Sequence, residues 1–393
     1  MKQKAMVSSK SNHVKKSLLI ILLIYSQASY SQNIFISNVL KKSLKDPIAL
    51  SLLAPLDSLF GQISNDSINK KYITEKNSDL TISILRGLTA NGKRDSILNY
   101  FTATVIDLHQ ISKNKYSITV AYVSKITEIR TIFNLIAIKD INGITFSLPL
   151  QYLTRYWKST SIGQIKYFYR DTINTTTAIG FNSKNHKISE KLGLPAEAFS
   201  FYICDNYQEI LELLGFQFDA SAIGRTRDGY GVDQGTIFSI TGNEDFSHDI
   251  FHYYSGKVNK NENRNWITEE GIAYIWGNAY YTNSNGEMIE QQILIDELKK
   301  YLGNNKESDL LYMFENDVKI YNHLASELSV RAVISGLICN EIELKRGMKG
   351  IFKLINCGRM PDLYTPFFLT IEELAGINRN NFNEHISRLL ERN

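Results

Sequence analysis

The sequence predicts an α+β protein on three observations. A block from about 101 to 148 is rich in β-branched and aromatic residues and is broken by short polar turns. From about 287 to the end, apolar residues recur at helical spacing. Between the two, strand-like and helix-like segments alternate.

Residues 1–31 read as an address. Lys15 and Lys16 precede Ser17 and the apolar run from Leu18 to Tyr25, and the small and polar residues SQASYSQ follow. A basic n-region, a short apolar h-region and a small-residue exit describe a secretory signal peptide. Cleavage is expected after Ser31, leaving Gln32 first and the mature protein exported, to the periplasm or beyond the cell. The alternative, an uncleaved anchor, needs roughly 20 apolar residues, and this run is far shorter. No stable membrane insertion is therefore expected after cleavage. No Cys follows the run, which argues against a lipid-anchored lipoprotein.

The leader also accounts for the charge. The chain holds 44 Lys+Arg against 40 Asp+Glu, a formal +4. Lys2, Lys4, Lys10, Lys15 and Lys16 lie in the first 31 residues, which contain no acid. Without those five, 39 basic groups face 40 acidic ones, a net of −1. A nucleic-acid binder would carry a basic domain or stripe, so nucleic acid is not an expected partner. A hydrophobic share of 43% excludes disorder, and 6 Pro with 3 Cys exclude collagen-like and disulfide-framework classes.

Residues 32–150 form an expected N-terminal α+β module. Ile36, Val39, Leu40 and Leu44 recur at helical spacing, with breaks expected at Pro47 and Pro55. TATVIDL, YSITVAYVSK, RTIFNLIAI and GITFSL then read as an antiparallel meander. Nothing in this module suggests chemistry, and His109 at a strand end reads as structural.

Residues 151–285 form an expected second lobe. IKYFYRD and FSFYIC are strand-like, NHKISEKLGL is helix-like, and YQEILELLGF is an amphipathic helix stopped by Gly215. SAIGRTRDGYGVDQG, 221–235, is a Gly-rich charged loop whose Arg225, Arg227 and Asp228 read as solvated, and TIFSI, 236–240, is a short buried strand. Residues 286–393 read as a helical C-terminal lobe. Its segments are EMIEQQILIDELKKYL, DLLYMFENDVKIYNHLASEL, SVRAVISGLICNEIELKRG, MKGIFKLINCG, TIEELAGI and NNFNEHISRLLER. Thr370 with Glu373 is an expected helix start with a capping box. Cys204, Cys339 and Cys357 lack CxxC spacing. Export would permit a Cys339–Cys357 bridge, but three buried thiols acting as small hydrophobes is the preferred reading.

The chemistry concentrates in NEDFSHDIFHYY and NWITEEGIAYIWGNA. His248 and His252 stand four apart and share one face of a helix, so both imidazoles can meet one ion. That spacing alone is a weak signal, and a non-metal pair on a helix surface is its alternative. Asn243 and Asp245 offer N-caps. Glu270 follows His252 by eighteen residues. Two neutral imidazoles and one carboxylate are three ligands of the kind a catalytic zinc needs, with a fourth position open for water. Glu269 competes with Glu270 for the third place. Gly271 and Ala273 are expected to let the Glu helix pack closely against the His helix. Trp266 and Trp276 read as core.

The two segments together resemble the gluzincin metallopeptidases, the thermolysin-like and aminopeptidase-like group, whose pattern is HExxH on one helix and a Glu in an EGxA-type segment on the next. Here these are His248-Asp249-Ile250-Phe251-His252 and Glu270-Gly271-Ile272-Ala273. The resemblance covers about 160–393 and not the N-terminal module. It implies a small mixed sheet with the zinc-site helices and then a helical lobe. It implies Zn2+ held by His248, His252 and Glu270, with TIFSI as the edge strand that pairs an extended peptide or protein substrate. Tyr321 would stand where some members place an oxyanion-stabilising Tyr. The sequence departs from the pattern at Asp249, which holds the place of the general-base Glu with one methylene less.

The resemblance thus implies an exported zinc-dependent peptidase that hydrolyses peptide bonds through a metal-activated water. The alternative it leaves open is a peptidase-fold protein that binds or scaffolds without cleaving. A third is an exported interaction protein in which the His pair is accidental.

Overall fold

The computed structural model describes residues 33–64, 67–88, 100–222, 231–279 and 288–393. The expected signal peptide and the loop tip with Arg225, Arg227 and Asp228 lie outside the described residues. The fold is α+β, in two compact units. One holds the chain to Leu148 together with Gly215–Ser221; the other holds Pro149–Leu214 and Ala222–Asn393.

In the first unit the expected meander forms. β2 (Phe101–Ser112), β3 (Lys115–Ser124), β4 (Ile129–Asp140) and β5 (Gly143–Ser147) pair as antiparallel neighbours, in registers such as Ile118 opposite Leu135 and Val120 opposite Phe133. β1 (Phe35–Ile36) adds in parallel to β2. α1 (Asn38–Ser43) is capped by Ser37, α2 is Pro47–Ser64 and α3 is Ser78–Gly87. Pro47 occupies the first position of α2, where its missing N–H is harmless. Pro55 does not break α2 as expected; it lies inside it. Leu52, Leu56, Leu59 and Phe60 on either side are fully buried, and that packed face outweighs one lost backbone hydrogen bond. Phe60 reaches the sheet, its ring 6.4 Å from that of Tyr122. A later segment, β9 (Phe216–Asp219), joins the same sheet on β4. It departs from Leu214 at Gly215, whose φ of +97° suits glycine alone.

The second unit is built on a five-stranded sheet. α4 (Leu150–Leu153) precedes β6 (Lys158–Ile162) and β7 (Ile165–Tyr169). α5 (Thr175–Lys191) crosses over to β8 (Phe199–Cys204), α6 (Tyr207–Leu213) follows, and β10 (Gly231–Asp233) and β11 (Thr236–Ile240) complete the sheet. The order is β10-β11-β8-β7-β6, with β7, β8 and β11 parallel and the outer strands antiparallel. TIFSI is β11, buried as expected, but it is not an edge strand. β10 covers it at Thr236–Phe238, through a tight hairpin whose two turn residues, Gln234 and Gly235, are left-handed at φ +46° and +71°.

The helices are α7 (Ser247–Val258), α8 (Trp266–Trp276), α9 (Gln291–Asn304), α10 (Leu310–Asn316), α11 (Val330–Ile355), α12 (Tyr364–Ala375) and α13 (Phe382–Arg392). One apolar core runs from Ile165 and Phe201 through Phe251 and Ile272 to Ile338 and Leu390, so the boundary expected at 285 does not separate two compact units. Close contact of α8 with α11 makes that continuity. A Cβ on Gly271 would lie 2.5 Å from Ser335 Oγ and 2.7 Å from the Gly336 amide. The helix expected over 309–328 ends at Asn316, where Asp317 turns left-handed at φ +47°. The Thr370–Glu373 start is also corrected. Asp362 Oδ1 accepts the amides of Tyr364 and Thr365 at 2.7 Å and starts α12 there, so Thr370 lies mid-helix and donates to the Pro366 carbonyl at 2.8 Å. All three cysteines are free thiols, Cys204 and Cys339 buried and Cys357 partly so. No helix among the described residues is long and apolar enough to cross a membrane.

Candidate metal centre

Helix α7 presents the histidines because its other face is anchored. Phe246, Ile250, Phe251 and Tyr254 are fully buried, which turns the His248–His252 face away from the core. Neither expected residue is the N-cap, which is Phe246 without a side-chain cap bond; Asp245 just before it accepts the Ser247 amide at Oδ1, at 2.9 Å, while its Oδ2 takes Lys184 Nζ at 2.9 Å. Asn243 instead closes the preceding turn, its carbonyl accepting Ser239 Oγ at 2.7 Å.

Helix α8 is capped by Asn265, whose Oδ1 accepts the Thr268 amide at 3.3 Å. The same side chain donates to the carbonyls of Gly358 and Leu363 at 2.8 and 2.9 Å, so the cap is fixed to the chain after α11.

The two helices bring His248, His252 and Glu270 together. His252 Nε2 lies 3.3 Å from His248 Nε2 and 3.3 Å from Glu270 Oε1, and His248 Nε2 lies 3.5 Å from Glu270 Oε2. These three residues could hold a metal ion. His248 Nδ1 lies 3.0 Å from the Asn278 carbonyl. A carbonyl only accepts, so Nδ1 carries the hydrogen in the neutral ring and the Nε2 lone pair faces the cluster, as a ligand requires. His252 Nδ1 is buried with no hydrogen-bond partner among the described residues.

The electrostatics follow from the crowding. Burial alone would depress the His248 imidazole. The hydrogen bond and charge of Glu270, the charge of Asp249 and the Asn278 carbonyl overcome this and raise it above its ordinary value. Burial alone would raise the Glu270 carboxyl, but hydrogen bonds and charge from both histidines hold it well below the usual carboxylate range.

Glu269, the competing ligand, is committed elsewhere. It is fully buried and accepts Arg264 Nε and Nη2 at 2.8 Å each, and Ser255 Oγ as well. Ser255 lies one turn beyond His252 on α7, so its hydrogen bond to Glu269 ties the His helix to the residue next to Glu270. Asn259 Nδ2 extends the tie by donating to Ser255 Oγ at 2.9 Å.

Close approach of the helices depends on a different glycine from the expected one. Gly271 faces α11. Gly277 is the residue against α7: a Cβ there would lie 2.8 Å from both the His248 amide and the Ser247 carbonyl carbon.

The remaining expected residues divide. Asp249 stands in the first turn of α7, partly buried, with its charge acting on His248. Tyr321 is fully buried, and its hydroxyl donates to the Leu294 carbonyl at 3.0 Å. With that hydrogen committed to a backbone acceptor, Tyr321 packs the core and is not placed as an oxyanion donor. Trp276 is core as expected, but Trp266 is 42% exposed, its ring 5.9 Å from that of His252 at the rim of the cluster. Tyr274, one turn after Glu270, packs its ring 5.8 Å from that of His248.

No family model matches the sequence, and no curated protein matches it. The chemistry of the site is therefore argued from its own donors. Two imidazoles and a carboxylate present three ligand atoms on one side of a point, and the Glu270 side chain is 40% exposed, which keeps the fourth side reachable from solvent.

Proposed function

We propose that the second unit is a gluzincin-like zinc metallopeptidase in an exported chain, acting on a peptide or protein substrate. What supports the reading is the spacing of the donors. A tetrahedral ion with bonds of roughly 2.0–2.1 Å has ligand atoms about 3.3–3.4 Å apart, and the three donor separations are 3.3, 3.3 and 3.5 Å. His248, His252 and Glu270 would hold the zinc. When bound, it supplies an electrophile that polarises a carbonyl and acidifies water. Asp249 is the group that would take the proton of the attacking water. General-base catalysis needs a reach of about 2.6–3.2 Å, and a misplacement of about 1 Å costs on the order of a hundredfold.

The methylene that Asp249 lacks relative to Glu favours a second reading, a peptidase-like unit that binds peptides and cleaves them slowly or not at all. Metal analysis of the purified protein, wild type and His248→Ala, tests both. One equivalent of zinc in the wild type and little in the variant is expected, and no zinc in the wild type would sink the peptidase reading and leave only a binding unit that needs no metal. Hydrolysis of a peptide library by the zinc-loaded wild type then separates the peptidase from the binding protein.

A further inference from the structure

The last turn of α8 also borders a cavity of about 500 Å³, lined by side chains from α5, α8, α9 and α11. Small-molecule sites run from about 300 to 1,000 Å³. Lys184, Lys187 and Lys191 line it from α5, at positions i, i+3 and i+7 of one helix face. Trp276 and Asn340 line it from α8 and α11, and Glu290 is the one acidic side chain among the lining residues.

Three like charges on one helix face repel each other. Two are answered from outside the cavity: Lys184 Nζ pairs with Asp245 at 2.9 Å, and Lys191 Nζ pairs with Glu343 at 2.5 Å. Lys191 also lies 4.3 Å from the centre of the Trp276 ring, which fixes its ammonium at the wall. Lys187 makes no ion pair among the described residues. The lining side chains thus carry three cations against one carboxylate, the rest being amide, aromatic and apolar groups, with an unanswered cation between two anchored ones.

We propose that this cavity binds a small molecule bearing several anionic oxygens, phosphate or carboxylate in class. Lys187 is its main ion-pair partner, Lys184 and Lys191 are flanking donors, and Trp276 is a flat wall. None of the three metal-centre donors lines this cavity, although Tyr274 and Gly277, which pack against His248, do, and the proposal does not depend on the function of that centre.

The test is calorimetric titration of the full chain with inorganic phosphate and with citrate at constant ionic strength. Binding of either by the wild type is expected, and the two arms distinguish a phosphate from a carboxylate site. Lys187→Ala and Lys187→Gln, both at an exposed position, are expected to weaken it about tenfold or more, with Lys306→Ala unchanged. Absence of binding by both anions overturns the proposal, as does equal binding by the Lys187 variants or loss of affinity in Lys306→Ala as well.

Discussion

The backbone carbonyl of Asn278 sits 3.0 Å from His248 Nδ1, so the turn that ends the Glu helix decides which nitrogen of the His helix faces the cluster. That contact exists because Gly277 leaves room for it.

Gly277→Ala should therefore damage metal binding from outside the ligand set. The added Cβ would meet the His248 amide, the Ser247 carbonyl carbon and the Ala273 carbonyl, each at 2.8 Å. Overpacking of this kind costs about 1–3 kcal/mol, and relief requires moving the start of α7 away from Asn278. The expected result is a lower melting midpoint with metal affinity reduced about tenfold or more. An affinity equal to wild type would mean that the Asn278 contact does not hold the ligand ring.

Glu269→Gln addresses the tie between the helices. Removing one charge of a buried pair leaves the other uncompensated, at a cost of about 3–5 kcal/mol, and the Arg264 side chain is only 12% exposed. Thermal or urea unfolding should show that loss. Metal affinity should fall too, because Ser255 and Glu269 set α7 against α8 beside His252 and Glu270. The double variant Arg264→Met, Glu269→Leu should recover part of the stability. If the single variant loses nothing, the pair is not a support of the centre.

Much of this was legible in the sequence. The meander was readable because β-branched runs alternate with KNK and KDING turns, and the His pair because four residues make one helical turn. Glu270 could be singled out by its neighbours, but its superiority over Glu269 depends on Arg264 and Ser255. Gly277 had a readable sign: it lies seven residues past Glu270, two turns along the same face, whereas Gly271 is rotated about 100° away. The Asn278 carbonyl had no such sign, because a backbone acceptor has no residue type. β9 in the first sheet is a pairing fixed by the folded chain, whereas the Gln234–Gly235 turn that lays β10 on TIFSI and the Asp362 acceptor that starts α12 are local features.

Asp249 separates binding from cleavage. Asp249→Ala should keep metal affinity within a few fold, since the residue is not one of the three donors, while any hydrolysis falls by about 10²–10⁴. Asp249→Glu restores the missing methylene and should raise hydrolysis of a peptide library about tenfold or more. A wild type that is inert with an active Asp249→Glu variant would favour the binding reading. An Asp249→Ala enzyme as fast as wild type would remove the residue from the mechanism.

The pH dependence has a defined sign. His248 is raised above its ordinary 6.5, so its contribution to metal-free stability is complete below that pH and is lost as pH rises through the raised value. Glu270 is lowered from its ordinary 4.5, so its contribution is complete above that pH and is lost as pH falls through the depressed value. Both act in full between 4.5 and 6.5, where the chelated protein should draw most stability from this cluster. A metal ion must displace the His248 proton, so the melting-point increment from added zinc should be small in that window and grow as pH rises above it. Melting curves with chelator and with zinc, taken from about pH 4 to 9, measure the increment directly. One that stays constant with pH would mean that His248 is not a ligand, and His248→Ala should flatten the dependence.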